Sequence, residues 1–220
     1  MPMSLKIDVV SDIACPWCII GLRGLEEALD RTRDLIAADI HFQPFELNPT
    51  MAREGENMAE HIQRKYGRTP EQSQDVRAMI RDRAAEVGFT INGGPDSRIY
   101  NTFDAHRLLH WAGVEGGGRQ QALKHALFEA YFTEQRNVAE HDVLLDAVAR
   151  AGLDRVAAAD ILASDRYAGE VRDAEHHWQR RGINSVPAVI VNDRWLISGG
   201  QPPDAFEQAL RGIAAELATA

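Results

Sequence analysis

Two cysteines, the only ones in the chain, stand at positions 15 and 18 in the run CPWC. Two thiols at this spacing can exchange a disulfide with a substrate, supply half of a metal site, or lie buried and inert. The exchange chemistry needs a thiolate, because the thiol itself is a poor nucleophile. A cysteine just before a helix lies near that helix's unpaired N–H groups and the positive end of its dipole, and both favour the anion. In that chemistry the position favours a Cys15 thiolate, and Cys18, one turn further in, can resolve a mixed disulfide without backbone movement. Pro16 suits a first helical turn because its missing N–H is not needed there. Trp17 places an indole beside the sulfur and limits solvent access.

The flanking sequence supplies such a helix. LKIDVVSD (5–12) reads as a short buried strand, with Ile7, Val9 and Val10 as its apolar residues. After the cysteines, Leu22, Leu25 and Leu29 recur at helical spacing on one face. A second strand is expected over 39–47, at a sheet edge or with a break in pairing at Pro44. Residues 51–182 are rich in Ala, Glu, Arg, Gln and Leu and carry helical periodicity with few strand signals. Thr69-Pro70 reads as a cap followed by proline at the first helical position, Gly88 as a helix end, INGGPDSR (91–98) as a loop and YNTFDAHRLLHWAG (100–113) as a helix closed near Gly113. Strand character returns in VPAVIVND (186–193), followed by a tight turn at Asn192-Asp193, a hairpin partner RWLIS and a terminal helix. The predicted fold class is therefore α/β. A βαβ half and a ββα half, residues 1–50 and 183–220, form one domain, and an all-helical insertion of 51–182 packs over it.

Composition narrows the class of partner. The net charge of −9 over 220 residues argues against nucleic acid and anionic lipid. No stretch approaches the ~20 apolar residues that span a membrane. The N-terminal apolar run is short and interrupted by Asp8 and Asp12, unlike a signal peptide. The expected compartment is the cytosol, where a lone structural disulfide is out of place and a CxxC is more often catalytic or metal-binding. Zinc would need two more ligands. The chain has eight histidines, but HRLLH (106–110) lacks the glutamate of HExxH and no second CxxC is present. No metal and no tightly bound cofactor are expected.

A second feature agrees with redox chemistry. Pro187 follows Val186 at the start of the third strand, where a cis bond would turn the preceding backbone outward and offer an edge for an extended peptide or glutathione. A trans proline that simply opens a strand is an equal alternative at this point.

The CPWC after the first strand, NTFDAHRL (101–108), LFEAYFTE (127–134) and GINSVPAVIVNDRWLISGGQP (182–202) together resemble the DsbA-like thioredoxin-fold proteins of the FrnE branch. The resemblance runs over nearly the whole chain. It implies a thioredoxin-like βαβ–ββα core with a large all-helical insertion, and thiol–disulfide oxidoreductase or isomerase activity. It also implies that Cys15 attacks, that Cys18 resolves and that Pro187 is a cis proline facing them. Related kappa-class glutathione transferases and 2-hydroxychromene-2-carboxylate isomerases carry serine where this chain has Cys15. In those relatives a loop before the last helix holds the γ-glutamyl end of glutathione. SGGQPPD (198–204) matches that place, so Gly200 and Gln201 are candidate contacts, against the alternative of a plain glycine turn. Some members of the branch carry an extra cysteine pair, which this chain lacks.

Other candidates are Asn101 and His106, either lining a cleft over the cysteines or serving as an N-cap and a hydrogen-bonded helix histidine. Asp8, Asp12 and Glu46 compete as the carboxylate that takes the Cys18 proton, with surface solvation as the alternative. The expected substrate is a disulfide-containing protein or small molecule. Glutathione is a candidate co-substrate, and a homodimer is a candidate assembly. Two rival readings stand beside this one: a glutathione-dependent isomerase or transferase acting on a small aromatic or polyketide-like compound, and a zinc- or partner-binding module.

Overall fold

The computed structural model describes residues 2–67, 69–94 and 96–219. Strand β1 (Met3–Ser11) leads through a tight turn into helix α1 (Pro16–Arg31), which returns to β2 (Ile36–Pro44), parallel to β1. Among the described residues, seven α-helices follow, α2 (Met58–Tyr66), α3 (Pro70–Glu86), α4 (Phe103–Glu115), α5 (Arg119–Phe128), α6 (His141–Arg150), α7 (Arg155–Leu162) and α8 (Ala168–Arg180), with a π-helical turn, Glu129–Thr133, continuing α5. A short two-stranded ribbon, β3 (Glu56–Asn57) with β4 (Arg98–Ile99), interrupts them. The chain then enters β5 (Ala188–Val191), β6 (Trp195–Ser198) and α9 (Pro203–Ala218). The main sheet runs β2-β1-β5-β6, with β5 antiparallel to both neighbours. This is the expected βαβ–ββα arrangement, with the helical block running between its halves.

The physical causes are local. Leu5, Ile7 and Val9 alternate with Asp8 and Val10 along β1, so each face of the central strand buries different residues. The first set joins the main core with Leu22 and Leu25 of α1 and Phe206 and Leu210 of α9. Val10 joins Trp178, Ile183, Ala188 and Ile190 in a smaller cluster. Each such aliphatic side chain contributes about 1.5–3 kcal/mol on burial. Thr69 and Gln72 form a reciprocal capping box at α3, with Pro70 opening the helix. Asn192 and Asp193 take φ of 48° and 57°, and Arg194 N–H closes the hairpin turn onto Val191 O.

Three expectations change. The second strand covers 36–44 rather than 39–47, because Pro44 ends it at the sheet edge instead of interrupting it. The loop expected over 91–98 ends in Arg98, which pairs in the small ribbon; two-residue strands carry no alternation to read (Pro95 lies outside the described residues). The helix expected to close near Gly113 continues to Glu115, and Gly116 ends it at φ 68°.

Candidate functional site

Cys15 is the N-cap of α1, and its carbonyl accepts from Cys18 N–H at 3.0 Å. Pro16, Trp17 and Cys18 therefore form the first helical turn. Both cysteines are free thiols, and both are buried, Cys15 4% and Cys18 1% exposed. They differ in access. Cys15, Pro16 and Trp17 line an open cleft of about 700 Å³, whereas Cys18 lies behind them. Burial pushes the Cys18 thiol well above its ordinary value, and a hydrogen bond to Cys15 and the charge there add to the effect. The Lys124 ammonium and the Asp12 backbone act in the opposite direction.

The Val186–Pro187 peptide bond is cis. Cys15 Sγ lies 3.7 Å from Val186 O, and Val186 also lines the cleft. This approach depends on glycines. A Cβ on Gly21 would stand 3.2 Å from Pro187 Cγ and 3.0 Å from Gly200 Cα, and one on Gly200 would stand 2.7 Å from Trp17 O. The 199–201 loop thus packs directly on α1.

The structure separates the three carboxylates. Asp8 is bound up away from the sulfurs, accepting from Gln43 Nε2 at 2.6 Å with Lys6 Nζ 3.0 Å away. Glu46 lines the cleft, bonded to Arg172. Burial raises the Glu46 carboxyl, and the Arg172 contact only partly offsets it. Asp12 stands at the foot of the CPWC turn. Its Oδ2 accepts from Leu47 N at 2.7 Å, and its Oδ1 accepts from Ala14 N at 3.3 Å and meets His106 Nε2 at 3.4 Å. Burial opposes ionisation of Asp12, but bonds from His106, Leu47 and Thr102 outweigh it and hold the carboxyl below its ordinary value.

The remaining candidates lie apart. His106 is buried on Asp12 and does not line the main cleft. Asn101 bridges backbone, donating to Met51 O and accepting from Phe103 N, both at 2.9 Å, and so organises the start of α4. Gln201 donates to Ser198 O at 2.8 Å, and neither it nor Gly200 lines the cleft.

Lys124 of α5 escaped the sequence reading. It is 1% exposed, and its Nζ has no hydrogen-bond partner among the described residues. The ammonium lies 5.0 Å from the Phe128 ring centre and 5.9 Å from that of Phe42. Burial lowers its pKa from 10.5 to about 8, while the charges of Cys18, Asp12 and Cys15 resist the drop. A signal existed in the sequence. Lys124, Leu127, Phe128 and Tyr131 recur at i, i+3, i+4 and i+7, so a lysine occupies an apolar stripe.

Among the described residues, no group of three or more His, Cys, Asp or Glu side chains is arranged to hold a metal, and no helix is long and apolar enough to cross a membrane.

Comparison with known proteins agrees with this geometry. A probable DsbA oxidoreductase of Streptomyces coelicolor is 33% identical and superposes with a TM-score of 0.86, over 94% of this chain and 88% of that one. The uncharacterized protein YwbO of Bacillus subtilis is 27% identical over 209 residues, covering 94% of this chain and 96% of its own. The cytosolic disulfide reductase DsbM of Pseudomonas aeruginosa, in a structure with GSH, shares the fold at 18% identity and a TM-score of 0.63, over 94% of this chain and 98% of that one. The family model of the DSBA-like thioredoxin domain matches residues 6–211, and the chain belongs to that family.

Proposed function

We propose that the protein is a dithiol–disulfide oxidoreductase in which Cys15 attacks and Cys18 resolves. The observation that carries this reading is the asymmetry of the pair: one sulfur faces a cleft at a helix N-terminus, and the other is held neutral behind it. Cys15 thiolate attacks one sulfur of a substrate disulfide, forming a Cys15–substrate disulfide and releasing the other half as a thiolate. Cys18 then loses its proton and attacks Cys15 Sγ. The second substrate half leaves as a thiolate, and Cys15–Cys18 is oxidised. The substrate has gained two electrons and the protein has lost two. Two external thiols restore the dithiol, with glutathione as the candidate; the likeness to a disulfide reductase seen with GSH supports that choice. The Val186 carbonyl beside Cys15 offers a backbone edge on which the substrate aligns. Lys124, within electrostatic reach of both sulfurs, favours the transient Cys18 anion. The working compartment in this reading is the cytosol, where thiol systems keep the pair reduced.

Cys18→Ser tests the mechanism. Mixed with glutathione disulfide or a protein disulfide, the variant accumulates a Cys15 adduct in intact-mass spectra, and turnover falls by about 100-fold or more. Unaltered turnover in Cys18→Ser, with no trapped adduct, rules the dithiol mechanism out.

A further inference from the structure

The cleft in front of Cys15 holds a second recognition element. Its volume of about 700 Å³ falls in the range of small-molecule sites. Met58, Ile62, Ile80 and Phe132 make its walls apolar, while Lys65, Arg77, Arg81 and Arg98 also line it. The single carboxylate that lines it, Glu46, is tied to Arg172. The cleft is therefore cationic in a protein of net charge −9.

The four cations are not alike. Lys65 donates to Leu47 O and Asn48 Oδ1, and Arg98 to Glu54 O and Gly55 O. Arg77 and Arg81 make no hydrogen bond or ion pair to any described residue. They lie four residues apart on α3, so they share a face. Neither has an acidic residue three or four positions away, which would be its natural partner along a helix. Two adjacent guanidinium groups with no counter-charge, over apolar walls, suit an incoming anion, and guanidinium matches a carboxylate in bidentate fashion.

We propose that Arg77 and Arg81 bind the anionic group of the substrate, and that the substrate is a low-molecular-weight disulfide with an apolar body and a carboxylate. The apolar walls take the body, the arginines take the charge, and the disulfide reaches Cys15, which lines the same cleft. This rests on the disulfide-exchange reading above and names the substrate class for the same site.

The test uses the full reduced chain and two aromatic disulfides: 5,5′-dithiobis(2-nitrobenzoate), which is dianionic, and 4,4′-dithiodipyridine, which is neutral. Rate constants for Cys15 labelling are measured by stopped flow for the wild type and for Arg77→Gln/Arg81→Gln. The double variant is expected to lose about tenfold in rate with the anionic disulfide and to stay within about twofold with the neutral one. In the wild type, raising the salt should slow the anionic reaction selectively. An unchanged ratio of the two rates, or equal slowing of both, overturns the proposal. So does a peptide disulfide that outcompetes the anionic arene and is insensitive to the double substitution. Failure of the redox reading looks different: anion-selective labelling of Cys15 persists, but Cys18→Ser leaves turnover intact.

Discussion

The sheet end of the molecule and the helices between β2 and β5 solve different problems. Where α1 meets the 199–206 segment, everything is arranged for contact. Gly21 and Gly24 let the 199–203 backbone approach, Phe206 fills the space beneath, and the free thiols are placed by the hydrogen-bonded CPWC turn together with this packing. In the helical block, α5 carries Lys124 into the core without a hydrogen-bond partner, and α3 presents two arginines without counter-charges. The first region positions the sulfurs. The second surrounds them with charge that packing alone would not select. Position is held by favourable contacts here, and the proposed mechanism draws on the buried Lys124 ammonium, a group that costs stability.

Lys124→Met is the strongest attempt to break this contrast. The folded protein holds the Lys124 proton less tightly than the unfolded chain does, so the charged lysine destabilises the fold below pH 8, and the cost fades as pH rises toward 10.5. The gap between 10.5 and about 8 corresponds to about 3 kcal/mol. Lys124→Met should therefore raise stability at pH 7 by up to about 3 kcal/mol in denaturant titrations, with the gain shrinking toward pH 10.5. The same change should slow resolution of the Cys15 mixed disulfide by about tenfold, read by rapid quench and mass spectrometry. A variant that is both less stable and equally fast would erase the distinction between the two regions.

Asp12→Asn probes the seam between them. A carboxyl held below its ordinary value contributes stability that is present above the unfolded pKa of ~3.9 and is lost as pH falls through the lower folded value. The variant should lose about 1–3 kcal/mol at neutral pH, because His106 and the Leu47 N–H lose their charged acceptor. Its stability should also depend less on pH in the acid range, as chemical denaturation across pH 2–6 would show. Equal acid sensitivity in variant and wild type would place the titrating group elsewhere.

Gly24→Ala sharpens the packing side and touches stability alone. Its Cβ would stand 2.7 Å from Gln201 O, a backbone atom that can yield only by shifting the loop. A loss of about 1–3 kcal/mol in thermal or denaturant unfolding is expected, with the ratio of anionic to neutral disulfide rates unchanged.

Legibility followed the range of the interactions. Cys15 and Cys18, the start of α1 and the 192–193 turn could be read because neighbours within a few residues determine them. The carboxylates could not be ranked, because what separates Asp8, Asp12 and Glu46 is contact with Gln43, His106 and Arg172, none of which is adjacent in sequence. Lys124 was visible as a periodicity anomaly, but a lysine in an apolar stripe has a purpose only once its surroundings are known. The small β3–β4 ribbon left no pattern because two residues cannot alternate.

By itself, the sequence determined the α/β order, a CxxC at a strand-to-helix junction and a Val-Pro before the third strand, because periodicity and turn chemistry are local. Tertiary structure decided which carboxylate lies at the CPWC turn, and that Lys124 comes near the sulfurs while Arg77 and Arg81 line the cleft before them. Those outcomes depend on desolvation and on distances between residues far apart in the chain, and neither is written in the local pattern.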